Sequence, residues 1–228
     1  MIPDLGVIIA AGGSSRRYGR RDKLLETLGG LPVLFHSVRA FAPLTAPGNL
    51  LVAADKDALD GYAKLAAELL PQIEVRFVPG GTNRTGSVRN ALAALPLTDG
   101  IVAIHDAARP LATAELLERL VARARVHGGA IAATPVVDSL KRADANGCFI
   151  AEPVAREGLF QAETPQVFDL KKIRAAYASL GSEAPTDDAE VMRMAGYQVE
   201  LVPSKQWNLK LTYPEDLEKL QGVIQQVK

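Results

Sequence analysis

The stretch AAGGSSRRYGRRDK, residues 10–23, concentrates anion-binding groups at the end of an apolar run. Gly12 and Gly13 carry no Cβ, so backbone N–H groups there can approach an anion closely. Arg17 supplies a planar fork and Lys23 a point charge for different oxygens of one polyphosphate. The spacing matches neither a P-loop nor a dinucleotide-binding fingerprint. It predicts a phosphate-binding turn of another kind, with a basic surface loop as the alternative.

A second candidate group lies in IVAIHDAARP, residues 101–110. Asp106 follows an apolar run typical of a buried strand. A carboxylate at the carboxyl end of a strand is well placed to hold Mg²⁺, which keeps several waters and bridges substrate phosphates. Arg109 can bind a second anionic group, and His105 is interpreted as a strand residue rather than a ligand. An isolated Asp here is more often a turn cap, but the facing glycine-rich turn favours the metal.

The sequence presents no evident general base. The three histidines lack a paired carboxylate motif, and no serine lies in a nucleophile elbow. A reaction whose nucleophile is already ionised needs no base. Attack of a phosphate oxygen on a nucleoside triphosphate fits, because its catalysis is mostly positioning and charge stabilisation.

Both groups must be positioned by the ends of buried strands. Short apolar runs typical of such strands lie at residues 5–10, 49–54, 73–78, 101–105, 130–134 and 197–202. Helical spacing of apolar residues is found at residues 59–69, 88–95, 116–121, 170–180 and 189–195. This alternation predicts an α/β fold with a doubly wound, mostly parallel, Rossmann-like sheet, whose ligands bind outside the carboxyl ends of the strands.

The last helix is predicted to begin near Thr212. Thr212 and Glu215 have the spacing of a capping box, and Pro214 lies in the first turn.

Residues 138–151, DSLKRADANGCFIA, break the alternation. Asn146-Gly147 is a strong hairpin turn signal, and the arms carry Leu140, Phe149 and Ile150 outside the main sheet. Isolated hairpins are marginal in water, so something must cover this one. These apolar side chains could pack against a second copy of the chain or against the protein's own domain, and the sequence favours neither.

Composition limits the class of protein. The 228 residues are 48% hydrophobic and 23% charged, which predicts a single domain over residues 1–228. The hairpin signal described above extends this prediction to a β-arm at about residues 137–158 of that domain. Since 26 basic residues balance 26 acidic ones, no global field favours nucleic acid or a membrane surface. Cys148 is the single cysteine and excludes an internal disulfide framework. With no signal-peptide pattern and no membrane-length apolar run, we expect a cytoplasmic protein.

The chain resembles the 2-C-methyl-D-erythritol 4-phosphate cytidylyltransferases of the non-mevalonate isoprenoid pathway over about residues 5–217. The motifs that carry the resemblance are AAGGSSRRYG…DK, VPGGTNRTGSVRNAL, HDAARP, PVVDSLKR, ETPQVF, TDDAEV and NLKLTYPEDL. Many nucleotidyltransferases share the first motif, whereas HDAARP, TPQVF and NLKLTYPEDL in this order are more specific. The resemblance implies a nucleotidyltransferase that uses Mg²⁺ and converts CTP and methylerythritol 4-phosphate into the cytidine diphosphate alcohol and pyrophosphate.

The resemblance also implies roles for individual residues. Arg17 and Lys23 would stabilise charge on the α-phosphate and the leaving pyrophosphate, while Arg156 and Lys210 would position the attacking phosphate. Asp106 would bind the metal. The residues implied to hold the nucleotide are Ala10, Ala11, Gly12, Gly13, Ser14, Gly81, Ser87, Asp106 and Ala107. Those implied to complete the pocket for the sugar-alcohol phosphate are Arg109, Ser139, Thr164 and Thr186.

The family is a homodimer in which a β-arm reaches into the partner's site. The resemblance therefore implies a homodimer with Arg156 and Ser139 opposite the other subunit's nucleotide. Some positions depart from the usual family residues: Asp22 stands for proline, Ser139 for threonine, Gly86 for aspartate and Trp207 for an acidic residue. The first loop is one residue longer, and Arg17 rather than Arg16 is assigned as the catalytic arginine.

Three alternatives stay open at this point. A molybdenum-cofactor nucleotidyltransferase would share the first loop but not the later motifs. A ribitol 5-phosphate cytidylyltransferase would share the CTP half of the site. A nucleotide-binding regulatory module would need no cations on both the leaving group and the nucleophile.

Overall fold

The chain folds around a central sheet with helices on both faces. The computed structural model describes residues 1–12, 18–19, 22–181, 183, 185–204 and 207–226. Its strands are β1 (Leu5–Ala10), β2 (Thr27–Leu28), β3 (Leu31–Pro32), β4 (Leu50–Ala54), β5 (Arg76–Pro79), β6 (Ile101–Asp106), β7 (Gly129–Pro135), β8 (Leu140–Ala143), β9 (Ile150–Val154), β10 (Phe160–Asp169) and β11 (Glu200–Pro203). Its helices are α1 (Val33–Phe41), α2 (Leu59–Leu69), α3 (Arg84–Ala94), α4 (Ala114–His127), α5 (Leu170–Ser179), α6 (Asp188–Met194) and α7 (Asp216–Gln226).

Seven strands form the central sheet in the order β11-β7-β10-β6-β1-β4-β5. Neighbouring strands are parallel except where β10 runs antiparallel to β6 and β7. Ala10 at the end of β1 lies opposite both Ala53 of β4 and Asp106 of β6. The carboxyl ends of these strands therefore meet at one edge, as the predicted mostly parallel sheet requires.

The helices divide between the two faces of the sheet. Helices α1, α2, α4 and α7 contribute to the core on one face, and α3, α5 and α6 to the core on the other. This confirms the doubly wound prediction. Within the described ranges, no helix combines the length and the apolar character that a membrane crossing requires.

The buried strands and α4 follow directly from local sequence. Every residue of β1 and β6 is buried, which is why β1 is apolar throughout and β6 is apolar up to His105 and Asp106 at its end. Helix α4 begins where the side chain of Thr113 accepts a hydrogen bond from the N–H of Leu116. It ends at Gly128, whose φ of +85° is a left-handed conformation that glycine adopts without strain.

Strand β10 is absent from the strands predicted by sequence. Its middle contains Glu163, Thr164 and Pro165, and charged residues and proline are unusual inside a sheet. Its pairing with β7 shifts register between Ala162 and Gln166, which accommodates this polar stretch. The irregularity lies beside the carboxyl end of β6, and it contributes to the site described below.

Two predicted boundaries were wrong. The last helix begins at Asp216, not near Thr212, and no capping box forms there. Instead, a carboxylate oxygen of Asp216 accepts hydrogen bonds from the N–H groups of Thr212 and Tyr213 at 3.0 and 2.9 Å. Strand β5 begins at Arg76 rather than Ile73, because the N–H of Ile73 closes a turn after α2.

Strands β8 and β9 form the predicted protruding arm as a separate two-stranded sheet. The carboxylate of Asp144 closes its turn by accepting from the N–H groups of Cys148 and Phe149 at 3.0 and 3.3 Å. Phe149 is 75% exposed and Ile150 is 68% exposed. The arm therefore does not pack these side chains against its own chain, which was one of the two expected covers.

Candidate active site

Asp106 is the centre of an ion-pair network at the end of β6. Its Oδ1 accepts a hydrogen bond from Nε of Arg84 at 3.0 Å, and its Oδ2 accepts one from Nζ of Lys210 at 2.6 Å. Burial alone raises the pKa of Asp106, but the charges of Arg84 and Lys210 outweigh it and hold that pKa well below its usual range. The carboxylate is therefore an anion at neutral pH.

Buried polar side chains tie β6 to β10 beside this carboxylate. The hydroxyl of Thr164 accepts a hydrogen bond from the N–H of Asp106 at 3.0 Å and lies 3.1 Å from Nδ1 of His105. Nε2 of His105 lies 3.1 Å from both the hydroxyl of Ser37 and the carbonyl oxygen of Arg109. Burial lowers the pKa of His105 to about 4, so its ring is neutral at pH 7. As predicted, His105 is a buried strand residue.

A cavity of about 250 Å³ lies against the Asp106 carboxylate. The predicted site residues that line it are Asp106, Arg109, Thr164, Thr186 and Lys210. A second cavity of about 530 Å³ shares Arg109 and Lys210 with the first. The structure thus brings the predicted metal ligand and four predicted acceptor-side residues to one place.

Arg109 is held in the wall between the two cavities. Its Nη1 donates to the carbonyl oxygen of Asn208 at 2.6 Å. The Asn208 side-chain amide donates in turn to Glu163 at 2.9 Å and to the carbonyl oxygen of Thr164 at 2.8 Å. Trp207, a departure from the family pattern, is 68% exposed and lines the second cavity.

Gly12, just after β1, packs against the turn from Gly81 to Ser87. The hydroxyl of Ser87 accepts from the N–H of Gly81 at 3.0 Å and donates to the carbonyl oxygen of Asn83 at 3.0 Å. A Cβ on Gly12 would lie 3.0 Å from that hydroxyl oxygen, so Gly12 approaches the same point from β1. Three residues implied to hold the nucleotide are therefore neighbours.

The backbone groups of Ala10, Ala11 and Ala107 hold the strand ends together. The N–H of Ala107 donates to the carbonyl oxygen of Ala10 at 3.0 Å, and the N–H of Ala11 donates to that of Ala53 at 2.8 Å. These hydrogen bonds join the segment after β1 to β4, and the segment after β6 to β1.

Lys23 lies beside the segment that carries Lys210. Its Nζ donates to the carbonyl oxygen of Leu211 at 2.9 Å. Asp22, which stands where the family usually has proline, accepts hydrogen bonds from the N–H of Leu24 at 3.0 Å and from the hydroxyl of Tyr62. Asp22 therefore orders the turn that presents Lys23.

Five further predicted residues are not brought to the cavity by the described chain. Gly13, Ser14 and Arg17 lie outside the described residues. Ser139 and Arg156 are exposed next to the arm, where Nη1 of Arg156 donates to the carbonyl oxygen of Val137. Neither of these two lines the cavities beside Asp106.

Sequence reasoning missed Arg84 as a site residue. It is the first residue of α3, and besides contacting Asp106 it donates through Nη2 to Asp188 at 2.7 Å. It also missed Asn208 and Glu163. Arg84 lies inside VPGGTNRTGSVRNAL, so the motif contained a signal, but nothing local distinguishes it from Arg89, the other arginine of that helix.

The fold and this site together define a nucleotidyltransferase: at its carboxyl edge a doubly wound sheet presents Gly12, the Gly81–Ser87 turn and a pocket where three basic side chains surround the Asp106 carboxylate. The family model of 2-C-methyl-D-erythritol 4-phosphate cytidylyltransferase matches residues 5–226, and the chain belongs to this family of enzymes.

Individual relatives agree with this assignment. The 2-C-methyl-D-erythritol 4-phosphate cytidylyltransferase of Cereibacter sphaeroides is 39% identical over 223 residues, which cover 96% of this chain and 95% of that protein. The bifunctional enzyme IspD/IspF of Maricaulis maris is 41% identical over 96% of this chain, which spans 56% of that relative's length. The crystal structure of 4-diphosphocytidyl-2C-methyl-D-erythritol synthase from Anaerococcus prevotii matches with a TM-score of 0.80 at 26% identity, covering 97% of this chain and 98% of that one.

Proposed function

We propose that the enzyme transfers a cytidylyl group from CTP to 2-C-methyl-D-erythritol 4-phosphate, giving 4-diphosphocytidyl-2-C-methyl-D-erythritol and pyrophosphate. An oxygen of the acceptor phosphate forms a bond to the α-phosphorus of CTP, and the bond from that phosphorus to the bridging oxygen of pyrophosphate breaks. The observation that carries the proposal is the placement of Lys210 and Arg109 on a cavity beside Asp106, next to the Gly81–Ser87 turn.

Lys210 and Arg109 position the acceptor phosphate in this proposal. Lys210 has a side chain that is 39% exposed and already reaches the edge of the cavity, so a rotation transfers its ammonium from Asp106 to a phosphate oxygen. Thr164 and Thr186 line the same cavity and can hydrogen-bond the acceptor. Since the acceptor phosphate is already an anion, no proton needs to be removed from the nucleophile.

Lys23 and Arg17 act on the nucleotide side. Lys23 lies next to Leu211, within reach of the segment bearing Lys210, so the two lysines approach the reacting phosphates from neighbouring points. Arg17 belongs to the same glycine-rich segment as Gly12. Their charges compensate the negative charge that builds on the α-phosphate and on pyrophosphate.

The donor set around Asp106 fits Mg²⁺ held by one protein carboxylate and substrate phosphates. Within the described ranges, no group of three or more His, Cys, Asp or Glu side chains could hold a metal without substrate. Asp106 would therefore supply the protein ligand after Lys210 leaves its Oδ2. A bound Mg²⁺ would neutralise phosphate charge and orient the triphosphate.

We include three further features in the proposal. The enzyme acts as a homodimer, since the exposed apolar arm needs a cover and Arg156 does not line the cavities of its own chain. Residues 1–228 form a single domain. The enzyme is cytoplasmic, consistent with the free, exposed thiol of Cys148.

Pyrophosphate release tests the reaction directly. With CTP, Mg²⁺ and methylerythritol 4-phosphate we expect turnover, and with EDTA in place of Mg²⁺ we expect none. Ribitol 5-phosphate, molybdopterin and the other nucleoside triphosphates serve as matched alternatives. Turnover with another acceptor would retain the nucleotide half of the proposal and overturn the acceptor half, while CTP binding without any turnover would indicate a regulatory module.

Gly81→Ala is expected to weaken CTP binding strongly. A Cβ at this position would lie 2.6 Å from the carbonyl carbon of Gly86, so Gly81 and the first turn of α3 must move apart. Overpacking of this kind costs about 1–3 kcal/mol, and we expect the Kd for CTP to rise roughly tenfold. Titration calorimetry measures this.

Gly222→Ala in α7 is the matched control for that substitution. A Cβ at Gly222 meets no atom within 4 Å, and alanine in a helix interior stabilises by about 0.5–1 kcal/mol relative to glycine. CTP affinity should be unchanged in this variant. An unchanged CTP affinity in folded Gly81→Ala as well would contradict the assignment of this turn to the nucleotide.

A further inference from the structure

Arg84 joins two carboxylates that come from different parts of the fold. Its Nε donates to Oδ1 of Asp106 at the end of β6, and its Nη2 donates to Oδ2 of Asp188 in the first turn of α6. The two bonds, at 3.0 and 2.7 Å, use different nitrogens of one rigid guanidinium. A contact of this kind fixes the orientation of the group as well as its position.

The Asp188 end of this link is anchored. The side chain of Asp188 is fully buried, and its Oδ1 accepts a hydrogen bond from the hydroxyl of Tyr177 on α5 at 2.5 Å. If Arg84 moved away, Asp188 would be left as a buried carboxylate without a cation, which is strongly destabilising. The Arg84 guanidinium is therefore held in place by Asp188, which is itself held by the hydroxyl of Tyr177.

The two cations on Asp106 thus differ in freedom. Lys210 has a side chain that is 39% exposed, and its ammonium can rotate toward the cavity. Arg84 is 27% exposed and bound to a second, buried carboxylate. When Lys210 moves to the acceptor phosphate, Oδ2 of Asp106 is released while Oδ1 stays bound.

The same link fixes the wall of the cavity. Thr186 and Asp187 line it immediately before α6 begins at Asp188. The amide of Gln166 donates to Asp187 at 3.0 Å and accepts from the N–H of Ala189 at 2.9 Å, which binds this segment to β10. Arg84 binds it to β6, so the distance between the wall and Asp106 depends on Arg84.

We propose that Arg84 is a positioning residue for the transfer reaction, held by Asp188 and Tyr177 so that it fixes Asp106 and its spacing from the Thr186–Asp187 wall while Lys210 exchanges partners. The proposal rests on the proposed function. Arg84 itself lines the cavity, whereas Asp188 and Tyr177 do not, so these two residues act on the reaction through Arg84 and Asp106.

Three substitutions test this link. Arg84→Lys keeps the charge, but one ammonium cannot reach both carboxylates through two nitrogens, and we expect kcat to fall about 10- to 100-fold. Asp188→Asn keeps the size and removes the charge, with about a tenfold expected loss. Tyr177→Phe keeps the ring and removes only the anchoring hydroxyl, so kcat should fall a few-fold. KM for CTP should change by less than about threefold in all three.

Non-additivity distinguishes positioning from general destabilisation. Because Arg84 and Asp188 act through one link, the double variant Arg84→Lys/Asp188→Asn should lie within about twofold of Arg84→Lys in kcat. The losses in Tm of the two single variants should likewise be non-additive in the double variant.

Arg174→Lys is the control: Arg174 donates to the carbonyl oxygens of Leu92, Leu95 and Leu97 at the other end of α3. It should lower Tm and leave kcat unchanged.

Wild-type turnover separates the two proposals. If the wild-type enzyme is inactive with CTP and methylerythritol 4-phosphate, the proposed function fails. If it is active and folded variants at Arg84 and Asp188 keep kcat within twofold, or lose it additively, the positioning role is overturned. Should Asp188→Asn not fold, Tyr177→Phe decides: an unchanged kcat for this variant would also overturn the role.

Discussion

Lys210→Ala is expected to lower kcat by about 10²- to 10³-fold, the cost typical of removing one charge-stabilising donor from a reaction centre. In the unliganded site Nζ of Lys210 lies 2.6 Å from Asp106, at the rim of the cavity proposed for the acceptor phosphate. Alanine removes the cation proposed to orient the nucleophile, and it leaves untouched Gly12 and the Gly81–Ser87 turn, which are proposed to hold the nucleotide. CTP affinity should therefore change by less than about threefold, since the lost interaction concerns the acceptor.

The protein should tolerate this substitution. Asp106 keeps Arg84 on its other oxygen, so it is not left as an unpaired charge. Stopped-time assays of pyrophosphate release give kcat, and calorimetry without acceptor gives the Kd for CTP.

Lys219→Ala is the matched control for that substitution. Lys219 is an exposed lysine on α7 that pairs with Asp216 at 3.1 Å, and its loss should leave both quantities unchanged. If Lys210→Ala instead raised the Kd for CTP by as much as it lowered kcat, Lys210 would belong to the nucleotide site. If kcat were unaffected, the cavity beside Asp106 would not be the acceptor site.

The parallel part of the fold could be predicted because burial on both faces leaves a simple sequence trace. Strands β1, β4 and β6 are buried along their full length, and each is a short apolar run followed by a turn. Because ligands bind at the carboxyl ends of such strands, the sequence predicts that Asp106 and Gly12 lie at the same edge of the sheet.

Strand β10 could not be predicted in the same way. Its polar centre is stabilised by partners that are distant in sequence: the hydroxyl of Thr134 donates to Glu163 at 2.7 Å, and the amide of Asn208 donates to the same carboxylate at 2.9 Å. A local pattern contains no record of such partners. Glu163, Thr164 and Pro165 therefore lack the apolar pattern of a strand, although tertiary contacts make them part of one.

The same limit explains why Arg84 was missed. Its contact with Asp188 joins residues 104 positions apart, and Asp188 by itself has the signature of an acidic residue in the first turn of a helix. Thr186 and Lys210, which the structure brings to the cavity beside Asp106, were predicted from family motifs and not from local physics. The resemblance thus pointed more readily to residues proposed to contact substrates than to residues that hold those side chains in position.

Mixed dimers of Arg156→Ala and Lys210→Ala are expected to recover activity that neither variant has alone. Each parent should fall by at least about 100-fold, since each loses a cation proposed to position the acceptor phosphate. In a mixed dimer, the subunit with intact Lys210 receives the arm with intact Arg156, and that one site is complete. If equal amounts of the two variants assort at random, about half of the dimers are mixed. Each mixed dimer has one complete site of its two, so about a quarter of the wild-type activity should return.

The expectation follows from where the arm places its residues. Arg156 and Ser139 are exposed, whereas Asp106 and Lys210 lie at the cavity within the main sheet of the same chain. Co-refolding equal amounts of the two variants and measuring pyrophosphate release tests the prediction. Lys23→Ala mixed with Lys210→Ala is the control, because both lysines come from one subunit and every site in the mixture has a defect. If the mixture of Arg156→Ala and Lys210→Ala recovers no more activity than this control, the arm acts within its own subunit or outside the reaction. In that case a site built from Lys210 of one subunit and Arg156 of the other is ruled out.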